Sequence, residues 1–340
     1  MGSSTYRPHT VTVTEFGAVG DGVTLNTKAF QNAIFYLHSF ADKGGAQLFV
    51  PTGKWLTGSF SLISHLTISL DKDAVIIGSM KLAQVAMSVL HIIPLKFFSI
   101  SFLLKVYNDF TNVIQMNPDS SSNVCIEDCY ISTGDDLIVI KSGWDEYGIS
   151  YAHPSSNISI RRIIGEAKSG AGIAFGSEMS GGISDVEVED ISLFNSLYGI
   201  RIKTSPGRGG YVQRIHISNV VLNNVNIAIG ITGQYGEHPD ENFDPNALPI
   251  INMITLEDIK GTNIKHAGTL EGIQGDNFSS ICLFNVHLNV TSSSPWQCSY
   301  IQGSSNLVSP ESCEPLRNPY QTSVCYTANH VRTQNLVQAA

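Results

Sequence analysis

Two pairs of charged residues in this chain have types and spacings that could do chemistry. The first is Asp135-Asp136, which follows Gly134 and directly precedes an apolar run at 137–140. Successive strand residues face opposite sides, so both carboxylates point outward only if a turn or bulge stands before the strand. Mutual repulsion raises one pKa of such a pair, leaving one carboxyl protonated and one ionised. Inverting hydrolysis of a glycosidic bond uses those two states, an acid for the leaving oxygen and a base for the water. A solvated turn or a Ca²⁺ ligand is the more frequent use of an isolated Asp-Asp pair.

The second pair is Arg201 and Lys203, which flank Ile202 within YGIRIKTSPGRGGYV. Strand alternation places both cations on one face and Ile202 in the core. Two cations side by side suit the carboxylates of an acidic sugar, with the guanidinium binding bidentately. A solvated basic edge would explain an isolated Arg-x-Lys. Here it follows the Asp pair by about two repeats of the pattern described below, so both pairs could share one groove.

Other candidates carry less. His38, His65, His91, His216 and His287 stand singly in largely apolar surroundings, and no two histidines have metal-ligand spacing. Cys125 and Cys129 lack the second pair a zinc site needs, and a disulfide or two buried thiols is the simpler reading. No Lys-Ser/Thr follows the glycines Gly20 and Gly22, so they form no phosphate loop. Trp144, Tyr147 and Tyr235 suit sugar stacking and suit a structural role equally. No metal and no cofactor is expected.

The elements that must position these residues repeat. NVCIEDCYI, NISIRRIIG, DVEVEDISL, RIHISNVVL, MITLEDIKG and ICLFNVHLN begin at 123, 157, 185, 214, 253 and 281. Each alternates with a period near two and is too short for a stable helix, so each reads as a strand. Glycine-bounded pieces, DLIVIKSG, GIAFGSE, YGIRIKT and IAIGITG, lie between them. A pattern recurring at this period predicts an all-β solenoid with short strands in stacked parallel sheets. A β-sandwich would alternate too, but without reproducing one pattern at one period. A helix is predicted over 26–41, with Phe30, Ala33, Ile34 and Leu37 on one face and Asn26 as N-cap, lying as a lid on the first coil. The cysteine-rich tail after Trp296 is expected to cover the other end.

Composition narrows the role. The chain has 340 residues, is 42% hydrophobic and 14% charged, and contains 30 glycines, which suits a long core with frequent turns. A net charge of −9 argues against nucleic-acid binding and a polybasic membrane surface. A local Arg/Lys cluster can still attract an anionic substrate. Six cysteines leave fifteen full pairings open. N-x-S/T triplets at Asn157, Asn277 and Asn289 agree weakly with secretion. Residues 1–10 are polar, so a leader is expected to be missing from this sequence. The apolar run at 85–104 is long enough to span a membrane, but His91, Pro94 and Lys96 interrupt it. A buried strand pair or a displaced segment is expected there.

FGAVGDGVTLNTKAFQNAI, TGDDLIVIKSGWDEYGI, GIAFGSEMSGGI and YGIRIKTSPGRGGYV, in this order, resemble the plant branch of the polygalacturonases, glycoside hydrolase family 28. The similarity covers about 11–79 and 117–325. It implies a single-stranded right-handed parallel β-helix with an open cleft, inverting hydrolysis of galacturonan, and a secreted, cell-wall monomer whose partner is pectin. In that scheme Asp135 is the general acid and Asp136 positions and deprotonates the water. Arg201 and Lys203 grip the uronate carboxylate. Two departures stand out. The family's N-T-D reads Asn112-Val113-Ile114, and its G-H-G reads Gly170-Ala171-Gly172, as this plant branch commonly does. Asp119 is expected to move toward the substrate in place of the lost Asp. The chain is expected to be one β-helix domain over 1–340, with an atypical segment at 80–112 where several coils are missing. A deletion or an incorrect splice junction explains the apolar run and Ile114 together. The alternatives are an impaired homologue that still binds pectin, a truncated product with no stable fold, and a polysaccharide lyase on the same solenoid. The Asp-Asp and Arg-Ile-Lys pairing disfavours the lyase.

Overall fold

The computed structural model describes residues 7–79, 89–92, 98–101, 115–317 and 325. Ser122–Thr133, Ser155–Ala167, Ile183–Lys203, Tyr211–Thr232, Ile250–Glu271, Phe278–Val290 and Ile301–Ser309 stack in parallel register. The register carries Val124 onto Ile158, Val186, Ile215, Ile254 and Ile281 in turn. Those residues are buried and form the core that runs the length of the stack. Among the described residues every pairing between named strands is parallel, which excludes the sandwich, and the coil is a right-handed parallel β-helix, the hand that parallel crossovers take.

Each repeat begins at a corner. Asn123, Asn157, Asp185, Arg214, Met253 and Ser280 all have φ between 52° and 57°. One left-handed residue turns the chain without ending its strand pairing, and Asn and Asp tolerate that conformation best. Further round the coil, Asn263 donates to Asn224 and Asn224 to Asn195, each at 2.8 Å. Stacked amides thus satisfy one another where the backbone bends.

α1 (Thr27–His38) covers the first coil and buries Phe30, Ala33, Ile34 and Leu37, as the apolar spacing predicts. Asn26 does not cap it through its side chain. Its Oδ1 accepts from Val19 N and its Nδ2 donates to Val19 O and Thr24 O, so it pins the preceding loop. Of the cysteine-rich tail expected to cover the far end, residues 318–324 and 326–340 lie outside the described residues. Trp296–Ser299 and Ile301–Ser309 extend the coil, pairing with Ile250–Glu271 and Phe278–Val290, before a short 3-10 turn buries Leu316. Disulfides Cys282–Cys325 and Cys298–Cys313 secure this end, and Cys125 and Cys129 are free thiols.

Within the apolar run, Val89–Ile92 pairs with Gln115–Pro118, and Phe98–Ser101 lies between Leu66–Leu70 and Ser122–Thr133. The rest of that run lies outside the described residues, as does most of the 80–112 segment. No helix among the described residues is long and apolar enough to cross a membrane.

Candidate active site

The Asp pair stands in the turn before Ile138–Ile140, and Arg201 and Lys203 end Ile183–Lys203, two strands along in the same sheet. Ile138–Ile140 pairs with Ala171–Phe175, which pairs with the end of Ile183–Lys203. Ile138, Ile140, Ile173, Phe175, Ile200 and Ile202 point into the core. The alternate positions therefore face outward, and the register sets Val139 beside Ala174 and Ala174 beside Arg201. Tyr198 packs on Val139, Ala171 and Ala174, so the outer face carries a small apolar floor of its own.

Asp136 is 1% exposed. Its Oδ2 accepts from Lys203 Nζ at 2.7 Å, and its Oδ1 accepts from Ala171 N at 2.7 Å. Gly170 permits this approach, because a Cβ there would sit 2.3 Å from Asp135 C and Asp136 N. Burial alone would lower the pKa of the Lys203 ammonium. The charge and hydrogen bond of Asp136 outweigh it, and Lys203 titrates above the ordinary lysine value. Asp135 is half-buried; its Oδ1 accepts from Asp136 N at 2.8 Å. The turn at 133–136 is thus what aims the two carboxylates, and Asp135 N closes it by donating to Thr133 Oγ1 at 3.2 Å.

Arg201 is held differently. Its guanidinium lies 4.2 Å from the Tyr198 ring centroid and 5.6 Å from that of Tyr235. Lys203 Nζ lies 5.5 Å from the same Tyr235 ring. The two tyrosines hold the cation by its faces, and among the described residues its N–H donors meet no protein acceptor. It opens on a cavity of about 450 Å³ also lined by Tyr198, Thr232, Tyr235, Thr269 and Glu271.

The structure brings Asp136, Lys203 and Arg201 together around Tyr235, with Asp135 adjoining through the chain. Lys203 is buried with one donor on Asp136, whereas the Arg201 donors meet no protein acceptor among the described residues. Asp119 forms a backbone β-bridge with Lys141, at the end of the strand row where Lys203 also lies; its Oδ1 accepts from Gly143 N at 3.1 Å and Ser120 Oγ at 3.0 Å. Ile114 lies outside the described residues.

Of the aromatics, Tyr235 flanks Arg201 and Lys203, whereas Tyr147 donates to Asp240 at 2.6 Å and Trp144 lies 5.7 Å from Arg208. Sequence reasoning missed Tyr198, Glu178 and Arg208. Glu178 pairs with Lys141 at 2.8 Å; burial pushes its carboxyl up, but Lys141 outweighs that and leaves it below the ordinary range. Arg208 is fully buried and donates to Asp145 at 2.5 Å, to Ser177 O at 2.8 Å and to Glu237 O. His238 Nδ1 lies 2.6 Å from the second Asp145 oxygen. This network ties α2 (Asp145–Tyr151) to the loop that follows Tyr235. The glycines around Arg208 were the one signal of a residue in close quarters.

A profile of Glycosyl hydrolases family 28 matches residues 96–313, and one of Rhamnogalacturonase A/epimerase, pectate lyase-like, matches 10–91. A probable polygalacturonase of Vitis vinifera is 37% identical over 408 aligned positions, covering 94% of this chain and 83% of that protein. An endo-polygalacturonase of Pectobacterium carotovorum subsp. carotovorum is 31% identical over 57% of this chain and 44% of its own length. Among solved structures, an exopolygalacturonase from Thermotoga maritima superposes with a TM-score of 0.63 at 21% identity, covering 88% of this chain and 91% of its own. A polygalacturonase from Erwinia carotovora ssp. carotovora gives 0.61 at 20% identity, covering 90% and 99%. At those identities the structural likeness establishes the fold.

Proposed function

The chain belongs to glycosyl hydrolases family 28, and on that premise we propose that it hydrolyses the galacturonosyl linkages of pectin by inversion. Asp135 acts as general acid on the leaving oxygen. Asp136, fixed by Lys203 and Ala171 N, orients the water and takes its proton. Arg201 binds the uronate carboxylate with its open N–H edge. The observation that carries this reading is the 2.7 Å contact of Lys203 with Asp136 beside an unengaged Arg201. In this reading Asp119 holds the loop at Gly143 through its Oδ1.

Two disulfides suit an oxidising compartment, which supports secretion to a cell wall. The two family profiles meet between residues 91 and 96, and the Vitis alignment runs over more positions than this chain has residues. Both facts support coils missing from the 80–112 segment. Ile114, where the family resemblance calls for Asp, favours a second reading in which pectin is bound without turnover.

Incubation with polygalacturonate, followed for reducing ends and for ultraviolet absorbance, tests the reading. Reducing ends should appear without an unsaturated product, and Asp135→Asn or Asp136→Asn should each lower the rate ~10²–10⁴-fold. Ultraviolet absorbance would mean a lyase, and rates indifferent to both variants would dismiss the Asp pair. Binding with no product would establish the second reading.

A further inference from the structure

The cavity beside Arg201 has a second charged residue that the proposed chemistry does not use. Glu271 lines it, two coils beyond Lys203 in register through Thr232. Neighbouring strands lie about 4.8 Å apart, so Glu271 stands on the order of 10 Å further along the same outer face. Its carboxylate is part-exposed, and among the described residues it accepts no hydrogen bond and pairs with no cation. Arg201 lines the same cavity yet forms no ion pair with it. Between the two charges the lining is neutral and hydrogen-bonding: Thr232, Gln234 and Thr269, with Tyr235 at the side.

We propose that Glu271 makes this part of the cleft a subsite for a sugar without a free carboxylate. The inference rests on the reading of Arg201 as the uronate clamp. A uronate held by Arg201 sets the next sugar over Thr232, Thr269 and Glu271. A second carboxylate there would face Glu271 with no cation to offset the repulsion. An uncharged ring, whether an esterified uronate or a neutral sugar, meets only hydroxyl and amide partners and can donate its own hydroxyls to Glu271. Arg201 and Glu271 together thus demand an acidic sugar followed by an uncharged one.

The test is binding, which needs no turnover. Wild-type protein and Glu271→Gln are titrated with three oligomers of equal length: de-esterified galacturonan, methyl-esterified galacturonan, and one alternating galacturonic acid with a neutral sugar. Glu271→Gln should shift the ratio of affinities toward the de-esterified oligomer about 5–10-fold, the size expected for removing one like charge at a part-exposed site. Comparing the esterified and alternating oligomers tells which uncharged ring the wild type takes. An unchanged ratio, with wild type still binding acidic oligomers, overturns the inference and leaves the uronate clamp standing. Failure of wild type to bind any of the three would sink the clamp, and the inference with it.

Discussion

The row Ile138, Ile173, Ile200 and Ile229 repeats one residue over four successive coils, whereas the row beside it reads Val139, Ala174, Arg201, Gly230, Thr269 and Gln297. Both rows lie on the same strands, one residue apart. The inner row is set by packing, because each isoleucine must fill the space between the coils above and below. The outer row carries no such demand. Its positions are free to differ from coil to coil, and there the chain gathers a cation, a glycine that clears the Tyr198 ring and a run of hydroxyl and amide groups. A solenoid separates the two tasks cleanly: the repeat builds the trough, and departures from it furnish the trough with chemistry.

Breaking the ion pair on the outer face should have the largest effect. Lys203→Met leaves the Asp136 carboxylate buried and unpaired, and should cost about 3–5 kcal/mol of stability as well as activity. Urea unfolding checks it, and Lys203→Met combined with Asp136→Asn should recover most of the loss. The pair also has a pH signature. The raised pKa of Lys203 means its stabilisation is complete below the ordinary lysine range and is lost as pH rises through the folded value. Alkaline unfolding should therefore show the Lys203→Met difference shrinking.

A break in the inner face should have a smaller and purely mechanical effect. Ile217→Ala, at a fully buried position stacked between Val188 and Leu256, should lower stability by about 2–4 kcal/mol. Its kcat/KM per folded molecule should stay at the wild-type value, as a steady-state assay at low temperature would report. A large change in kcat/KM would mean that the core and the outer row are not independent.

The same division explains what could be read from the sequence. The apolar alternation of 123–131, 157–165 and their successors placed the strands, because packing imposes a period. The Asp135-Asp136 and Arg201-x-Lys203 pairs were visible because like charges close together are rare. Their relations were not. Whether Lys203 meets Asp136 depends on how far each coil is offset from the last, across 67 residues. Tyr198 and Tyr235 flank Arg201, and Glu271 shares its cavity, for the same long-range reason. Asn26 looked like a cap and instead holds the loop at Val19. A side chain with two good uses is decided by the neighbours that the fold brings to it.

The proposal that the free edge of Arg201 selects an acidic sugar can be tested by binding alone. Isothermal titration of wild type and Arg201→Ala with a de-esterified galacturonan oligomer, and with its uncharged reduced counterpart, measures that directly. The loss of about 1.5–3 kcal/mol expected for a charge-assisted hydrogen bond, roughly 10–100-fold in Kd, should fall on the acidic oligomer and shift the ratio between the two ligands by that factor. Equal losses for both oligomers, or none for either, would contradict it.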